Sequence, residues 1–348
     1  MDPFLSVQGM LEDGVAHEFT DPTAGATGPA EPEEAVMLRE YHVRMYRQFA
    51  SQVPGFSNLI REFRENPQAF SLFVSALATA ANDARMSDTG SLKKDSLSYV
   101  PRRIGDSLVP PIRPDESKAS RGYNHRDTGA LLLPKRYQEE YDSDPSFCDK
   151  IRDGKVKITS KMWASYLYAA HIVFDKNNKD LGLLRGYILL RFFRHIFLGP
   201  QAASSEGARV STKPGKAKMY GLKSVTPRTI AYTAIQAYIA LSDMPQWGFY
   251  HNKIDLRTLY NRIVDLLEKD PEHPWCKETM AWWNSQISLP SQTTKSAGSD
   301  SDDSDESDDD ILAQFDARAN EPSTRPTSPS SRPPSPVPQP PSPVPQPP

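Results

Sequence analysis

The chain has 348 residues with 41 Lys+Arg and 44 Asp+Glu, and its formal net charge of −3 hides a basic body between two acidic ends. Residues 41–298 carry 37 bases against 25 acids, while the first 40 residues carry one base against nine acids and the last 50 carry three against ten. Only two cysteines, Cys148 and Cys276, are present and the start is not signal-like, which excludes a disulfide-built secreted scaffold and points to a reduced cytoplasmic or nuclear compartment.

Residues 1–32 are small, acidic and poor in large apolar groups, and are expected to form a disordered arm. From Glu33 the texture changes: Val36, Met37, Tyr41, Met45, Tyr46 and Phe49 recur at helical spacing, and Pro54-Gly55 ends the pattern. A short helix over Phe56–Glu65 follows. Asn66-Pro67 then supplies a cap and a first-turn proline for a third helix, Pro67–Met86. Together 33–86 form a small helical segment. Residues 87–120 return to Ser, Pro and charge and read as a linker.

A second helical domain is expected over 121–290. It opens with a turn, then a helix over Thr159–Phe174 and a core helix over Lys179–Leu198. The stretch Leu181–Leu198 is apolar enough to suggest a membrane span, but Arg185, Arg191 and Arg194 interrupt it. Each would cost roughly 2.5–3.5 kcal/mol at a bilayer centre, so no membrane association is expected. Thr226-Pro227 caps a further helix, and Leu256–Glu268 and Pro274–Ile287 complete the domain. Only 155–158 looks strand-like, so the fold class is all-α, a bundle-like helical domain with a smaller N-terminal helical segment and disordered ends. The end, 291–348, holds the acidic run 299–310 and a Pro/Ser stretch closing in two copies of SPVPQPP, a polyproline II signature.

Motifs with chemistry mostly fail on inspection. His125-Arg126-Asp127 matches the start of a kinase catalytic loop, but Leu132 stands where that loop needs its magnesium-binding Asn. A turn in which Asn124, His125 and Asp127 hydrogen-bond the backbone is the expectation. His273 and Cys276 lack two further zinc ligands, so His273 is read as a helix-start residue and Cys276 as a small buried one. No nucleophile elbow, Walker loop or dinucleotide fingerprint occurs, and no metal or cofactor is expected. A nucleophile–base pair assembled in space would involve His125, His171 or His195, which leaves the enzyme question open at this point. Trp282-Trp283 reads as core packing, with at most one of the two facing solvent.

The strongest local signal is electrostatic: from Arg185 to Arg228 there are nine bases and one acid, Glu206. The loop 209–223 with Tyr220 suits phosphate contact and base stacking, which makes Arg209, Lys213, Lys216, Lys218, Lys223 and Arg228 candidate anion contacts. A merely solvated loop is the alternative.

Four segments occur in a distinctive order: GYNHRDTGALLLP, GLLRGYILLRFFRHIFLGP, AKMYGLKSVTPRTIAYTAIQAYIALS and AWWNSQI. In that order they resemble a family of uncharacterised proteins from mushroom-forming basidiomycete fungi, a domain of unknown function, over about 121–290. The resemblance implies domain limits and a fungal source, and no activity. The chain departs from the family pattern at Leu133, where a cysteine is expected before the proline, and at Lys213-Pro214-Gly215-Lys216, where Arg-Ser-Gly-Asn is expected.

Two functional classes lead from this reading. The first is a non-enzymatic helical interaction module with an acidic, phosphorylatable, proline-rich tail that docks protein partners. The alternative is nucleic-acid or other polyanion binding through loop 209–223, with the acidic run as an intramolecular competitor.

Overall fold

The computed structural model describes residues 2–19, 31–113, 115–204, 215–287 and 289. All fall in one packed unit, Met1–Gln292. The expectations for 299–310 and 321–348 lie outside the described residues, as do Arg209 and Lys213.

The all-α reading holds: thirteen α-helices stand against one two-stranded hairpin among the described residues. The first four are α1 (Val7–Phe19), α2 (Glu33–Gln52), α3 (Phe56–Glu65) and α4 (Pro67–Tyr99). Next come α5 (Arg126–Leu132), α6 (Gln138–Ser143) and α7 (Phe147–Arg152). The remainder are α8 (Tyr187–Leu198), α9 (Pro200–Ala203), α10 (Lys216–Met219), α11 (Pro227–Leu241), α12 (Leu256–Glu268) and α13 (Pro274–Gln286). Strands β1 (Tyr250–His251) and β2 (Ile254–Asp255) pair antiparallel between α11 and α12. Among the described residues, no helix is long and apolar enough to cross a membrane.

Helix α11 is the centre of the main core. Thr226 and Thr229 form a reciprocal capping box around Pro227, which fixes its start. From Ile230 to Leu241 every residue except Tyr232 is buried, so the helix is enclosed on all sides. It packs on α4, α5, α8 and α12. Two buried basic side chains meet carbonyls at its end: Lys118 Nζ donates to Ile239 O and to Met244 O just beyond the helix, and Arg121 Nη1 donates to Ala240 O at 2.9 Å. Cations belong at the negative end of a helix dipole. Their burial pushes Lys118 down to about 7 and lowers Arg121.

The arginines of α8 do similar work. Arg191 donates to the carbonyls of Tyr99 and Arg102, each at 2.7 Å, and so holds the chain where α4 ends. Arg194 donates to Gln286 O at the last residue of α13, at 3.0 Å. Two of the three arginines that argue against a membrane span are thus spent at helix ends, and the third, Arg185, pairs with Glu278 of α13.

Several expectations need correction. Residues 1–32 are not a featureless arm: α1 buries Met10 and Leu11 completely, and with α2, α3 and α4 it encloses a second core that includes Tyr46, Phe56 and Ile60. The α1–α2 contact is close, since a Cβ on Gly14 would lie 2.1 Å from Tyr46 Cγ. Residues 87–99, placed in the linker, are the last turns of α4, and Leu92 there is buried in the main core. The helix expected over Thr159–Phe174 is absent apart from a short 3-10 turn at Ser165–Leu167. Tyr166, Leu167 and Tyr168 are buried consecutively, which a surface helix does not allow. The helix expected to start at Lys179 begins only at Tyr187, because Gly182 and Leu184 adopt left-handed φ of 70° and 61°. Residues 155–158 form no strand.

Candidate functional site

A groove of about 860 Å³ opens between α2 and α12, floored by the N-terminal segment 2–6. Both walls follow from helix patterning. In α12, Asp255 accepts from the backbone N–H of Arg257 and Thr258, and the buried stripe Leu256, Leu259, Tyr260, Ile263, Val264 and Leu267 fixes its rotation. That leaves Asn261, Asp265 and Glu268 toward the groove. From α2 come Leu38, Tyr41, His42, Met45 and Gln48, where His42 Nδ1 lies 2.6 Å from Asp13 of α1.

Phe4 anchors the floor. It is buried against the rings of Trp247, Phe249 and Tyr260, with centroids 5.4–5.9 Å away. Arg257 holds the Phe4 carbonyl at 3.0 Å. The Asp2 carboxylate, itself buried, accepts from Phe4 N at 2.8 Å and from the Tyr41 hydroxyl. Arg228 and Glu268 close one end with two parallel bonds of 3.0 Å each, a bidentate pair.

One group stands out. The Tyr260 hydroxyl is buried and has no hydrogen-bond partner among the described residues, although its residue lines the groove. Burial and the nearby Asp2 carboxylate raise its pKa, so the oxygen stays protonated and able to donate. Burial and Asp2 act on Tyr41 in the same direction. A desolvated hydroxyl without a partner costs roughly 1–3 kcal/mol, and an acceptor in the groove would recover that.

Of the predicted anion contacts, four are described, Lys216, Lys218, Lys223 and Arg228, and two of these are engaged in ion pairs. Lys216 forms an ion pair with Asp88, which also accepts from the Tyr232 hydroxyl at 2.8 Å. Gln236 joins this network through Tyr232, and Thr89 joins it through Gln236. Arg228 is paired instead with Glu268 of α12. Lys218 and Lys223 are exposed, next to Met219 and Tyr220, which are 65% and 74% exposed.

The turn at 124–127 behaves as expected: Asn124 donates to Ala119 O, His125 Nδ1 accepts from Asp127 N, and Asp127 accepts from Val109 N. His273 caps α13 through Trp275 N, and Cys276 is buried. Trp283 is fully buried and donates to Leu184 O at 2.9 Å, while Trp282 is only half-buried. His195 lies between Ser91 Oγ at 2.7 Å and the Tyr99 hydroxyl at 2.9 Å. Burial lowers its pKa and keeps the ring neutral, and the trio joins α4 to α8 as a packing contact. Ser91 and His195 do not line the groove between α2 and α12. Sequence reasoning missed Tyr260 and Asp2. The alternation of Leu256, Leu259, Tyr260 and Ile263 marks Tyr260 as core, and nothing local says that its hydroxyl lacks a partner.

A family model described as a family of unknown function (DUF6698) matches residues 79–288. The match begins inside α4, well before the limit of 121 expected from the sequence, and agrees with Leu92 and Leu97 lying in the main core. No curated protein and no solved structure matches the chain.

Proposed function

The chain belongs to the DUF6698 family of unknown function, and from that premise we propose that it is a non-enzymatic helical interaction module that seats an extended stretch of a partner polypeptide between α2 and α12. The observation that carries this reading is the buried Tyr260 hydroxyl, without a partner among the described residues, on a residue that lines a groove of about 860 Å³. Side-chain amides at Gln48 and Asn261 suit peptide N–H and C=O groups, and Leu38, 51% exposed at the rim, suits an apolar side chain. The proline-rich stretch 321–348 and the acidic serines of 299–310 extend the same reading as partner-docking and phosphorylatable segments. Two free cysteines support an intracellular site of action, and the order of the four sequence motifs supports a basidiomycete source.

The test is selection of displayed random peptides on the purified full chain, followed by affinity measurement on variants. Binding should weaken about five- to tenfold in Tyr260→Phe, the worth of one hydrogen bond, and further in Leu38→Glu. Selected peptides indifferent to both substitutions would overturn the groove. Deleting 321–348 without any change of partners would reduce the tail to a solubilising role.

A second reading, polyanion binding, is favoured by exposed Lys218 and Lys223 beside exposed Met219 and Tyr220. It requires affinity to fall steeply between about 50 and 200 mM salt, because each phosphate contact releases counterions. The ion pairs of Lys216 and Arg228 leave fewer cations for it.

A further inference from the structure

We propose that a second cleft, between the segment 100–108 and helices α5 and α6, binds an organic oxyanion, a carboxylate or phosphate monoester on an apolar body, through Lys135 and Arg102. The cleft holds about 420 Å³, within the range of small-molecule sites. It lies wholly inside the matched region 79–288, whereas the α2–α12 groove takes one wall from outside it.

Lys135 is the central observation. Only 8% of the residue is exposed, and its ammonium lines the cleft without a hydrogen bond or ion pair among the described residues. Its backbone is pinned: Lys135 N donates to Trp163 O at 2.9 Å, and Pro134 bridges Ala164. Burial of most of the residue leaves this ammonium poorly solvated, and a bound oxyanion would offset that cost with a charge-assisted bond.

Arg102 supplies the second cation. One nitrogen is spent on Ala170 O at 3.2 Å, and the guanidinium lies 5.1 Å from the centre of the Tyr187 ring, which leaves its other edge available. Burial and then the nearby Arg102 lower the pKa of Lys135, and Asp142 opposes them to a smaller extent. Two acids also line the cleft, and each accepts a neutral donor: Asp127 from Val109 N at 3.3 Å and Asp142 from Gln138 at 3.1 Å. Tyr168 and Tyr187 direct their hydroxyls to the carbonyls of Lys179 and Val100, so they offer the cleft ring surface for an apolar body.

The experiment is calorimetric titration of the full chain at low salt with phenyl phosphate, benzoate and inorganic phosphate, repeated on Lys135→Met and Arg102→Met. Phenyl phosphate or benzoate should bind wild type with millimolar or tighter affinity, and each substitution should weaken it about tenfold or more. The tighter of the two identifies the anion as phosphate or carboxylate. Inorganic phosphate should bind more weakly than phenyl phosphate. Without ligand, Lys135→Met should melt above wild type, and Lys135→Gln serves if the methionine variant fails to fold. Absence of binding by every probe at about 10 mM, or equal binding by wild type and both variants, overturns the proposal.

Discussion

Phe4 stacks on Trp247 with ring centroids 5.5 Å apart and an interplanar angle of 28°. The fourth residue of the chain thereby belongs to the core built around α11, more than 70 residues before the family match begins. Replacing it should be costly. Phe4→Ala should lower stability by about 3 kcal/mol, the usual loss for a buried ring, in urea denaturation. It should also free residues 1–19 to proteolysis. An effect below about 0.5 kcal/mol would mean that the segment is not docked.

Gly14 and Gly90 make a matched pair of opposite sign. A Cβ at Gly14 meets the Tyr46 ring, whereas one at Gly90, within α4, meets nothing within 4 Å. Gly14→Ala should destabilise the α1–α2 contact by about 1–3 kcal/mol through overpacking. Gly90→Ala should stabilise by up to about 1 kcal/mol through helix propensity alone. Thermal melts of both variants decide, and two shifts of the same sign would contradict the packing.

Lys118 gives a pH dependence with a defined sign. Its folded pKa is about 7 against an ordinary 10.5, so between those values the unfolded chain binds the extra proton. The contribution of Lys118 to stability should therefore rise from about pH 7 upward, by at most about 1.4 kcal/mol per pH unit. Urea titrations at pH 7 and pH 9 should show this rise in wild type and a smaller one in Lys118→Met. Identical slopes would mean that the ammonium stays charged on the carbonyls of Ile239 and Met244.

Lys216 and Lys218 sit in the same short helix, and the structure assigns them different work. Lys216 pairs with Asp88, which is only 8% exposed, whereas Lys218 faces solvent. Lys216→Met should cost roughly 1–3 kcal/mol by leaving a largely buried carboxylate one donor short, and Lys218→Met should fall within about 0.5 kcal/mol of wild type. Chemical denaturation separates the two. If polyanion binding exists, Lys218→Met should weaken it while leaving the melt unchanged.

Short-range signals were legible in the sequence because their physics is local. Asn66 caps α4 through Ala69 N, Thr226 caps α11 through Thr229 N, and His273 caps α13 through Trp275 N, each followed by a first-turn proline. The same locality marked the amphipathic faces of α2 and α12 and the turn at 124–127. Helix α1 was missed because Gly9, Gly14 and the acids dilute a pattern, Val7, Met10, Leu11 and Val15, that has helical spacing. Those glycines are there for the close approach to His42 and Tyr46, a relationship no local composition reveals.

Tertiary structure alone decided the rest. Residues 159–174 have helical composition, yet Tyr166 reaches Ala234 O and Tyr168 bridges Leu183, contacts 15 to 68 positions away that outweigh propensity. Both candidate sites are of that kind. Asp2 meets Tyr41 39 positions along the chain, and Lys135 stands beside Arg102 across 33 positions of turns and short helices. A sequence states which groups can donate, accept or carry charge. Whether a buried tyrosine hydroxyl or a lysine ammonium finds a partner depends on how distant helices pack, because the cost of an unmade bond arises only once water is excluded.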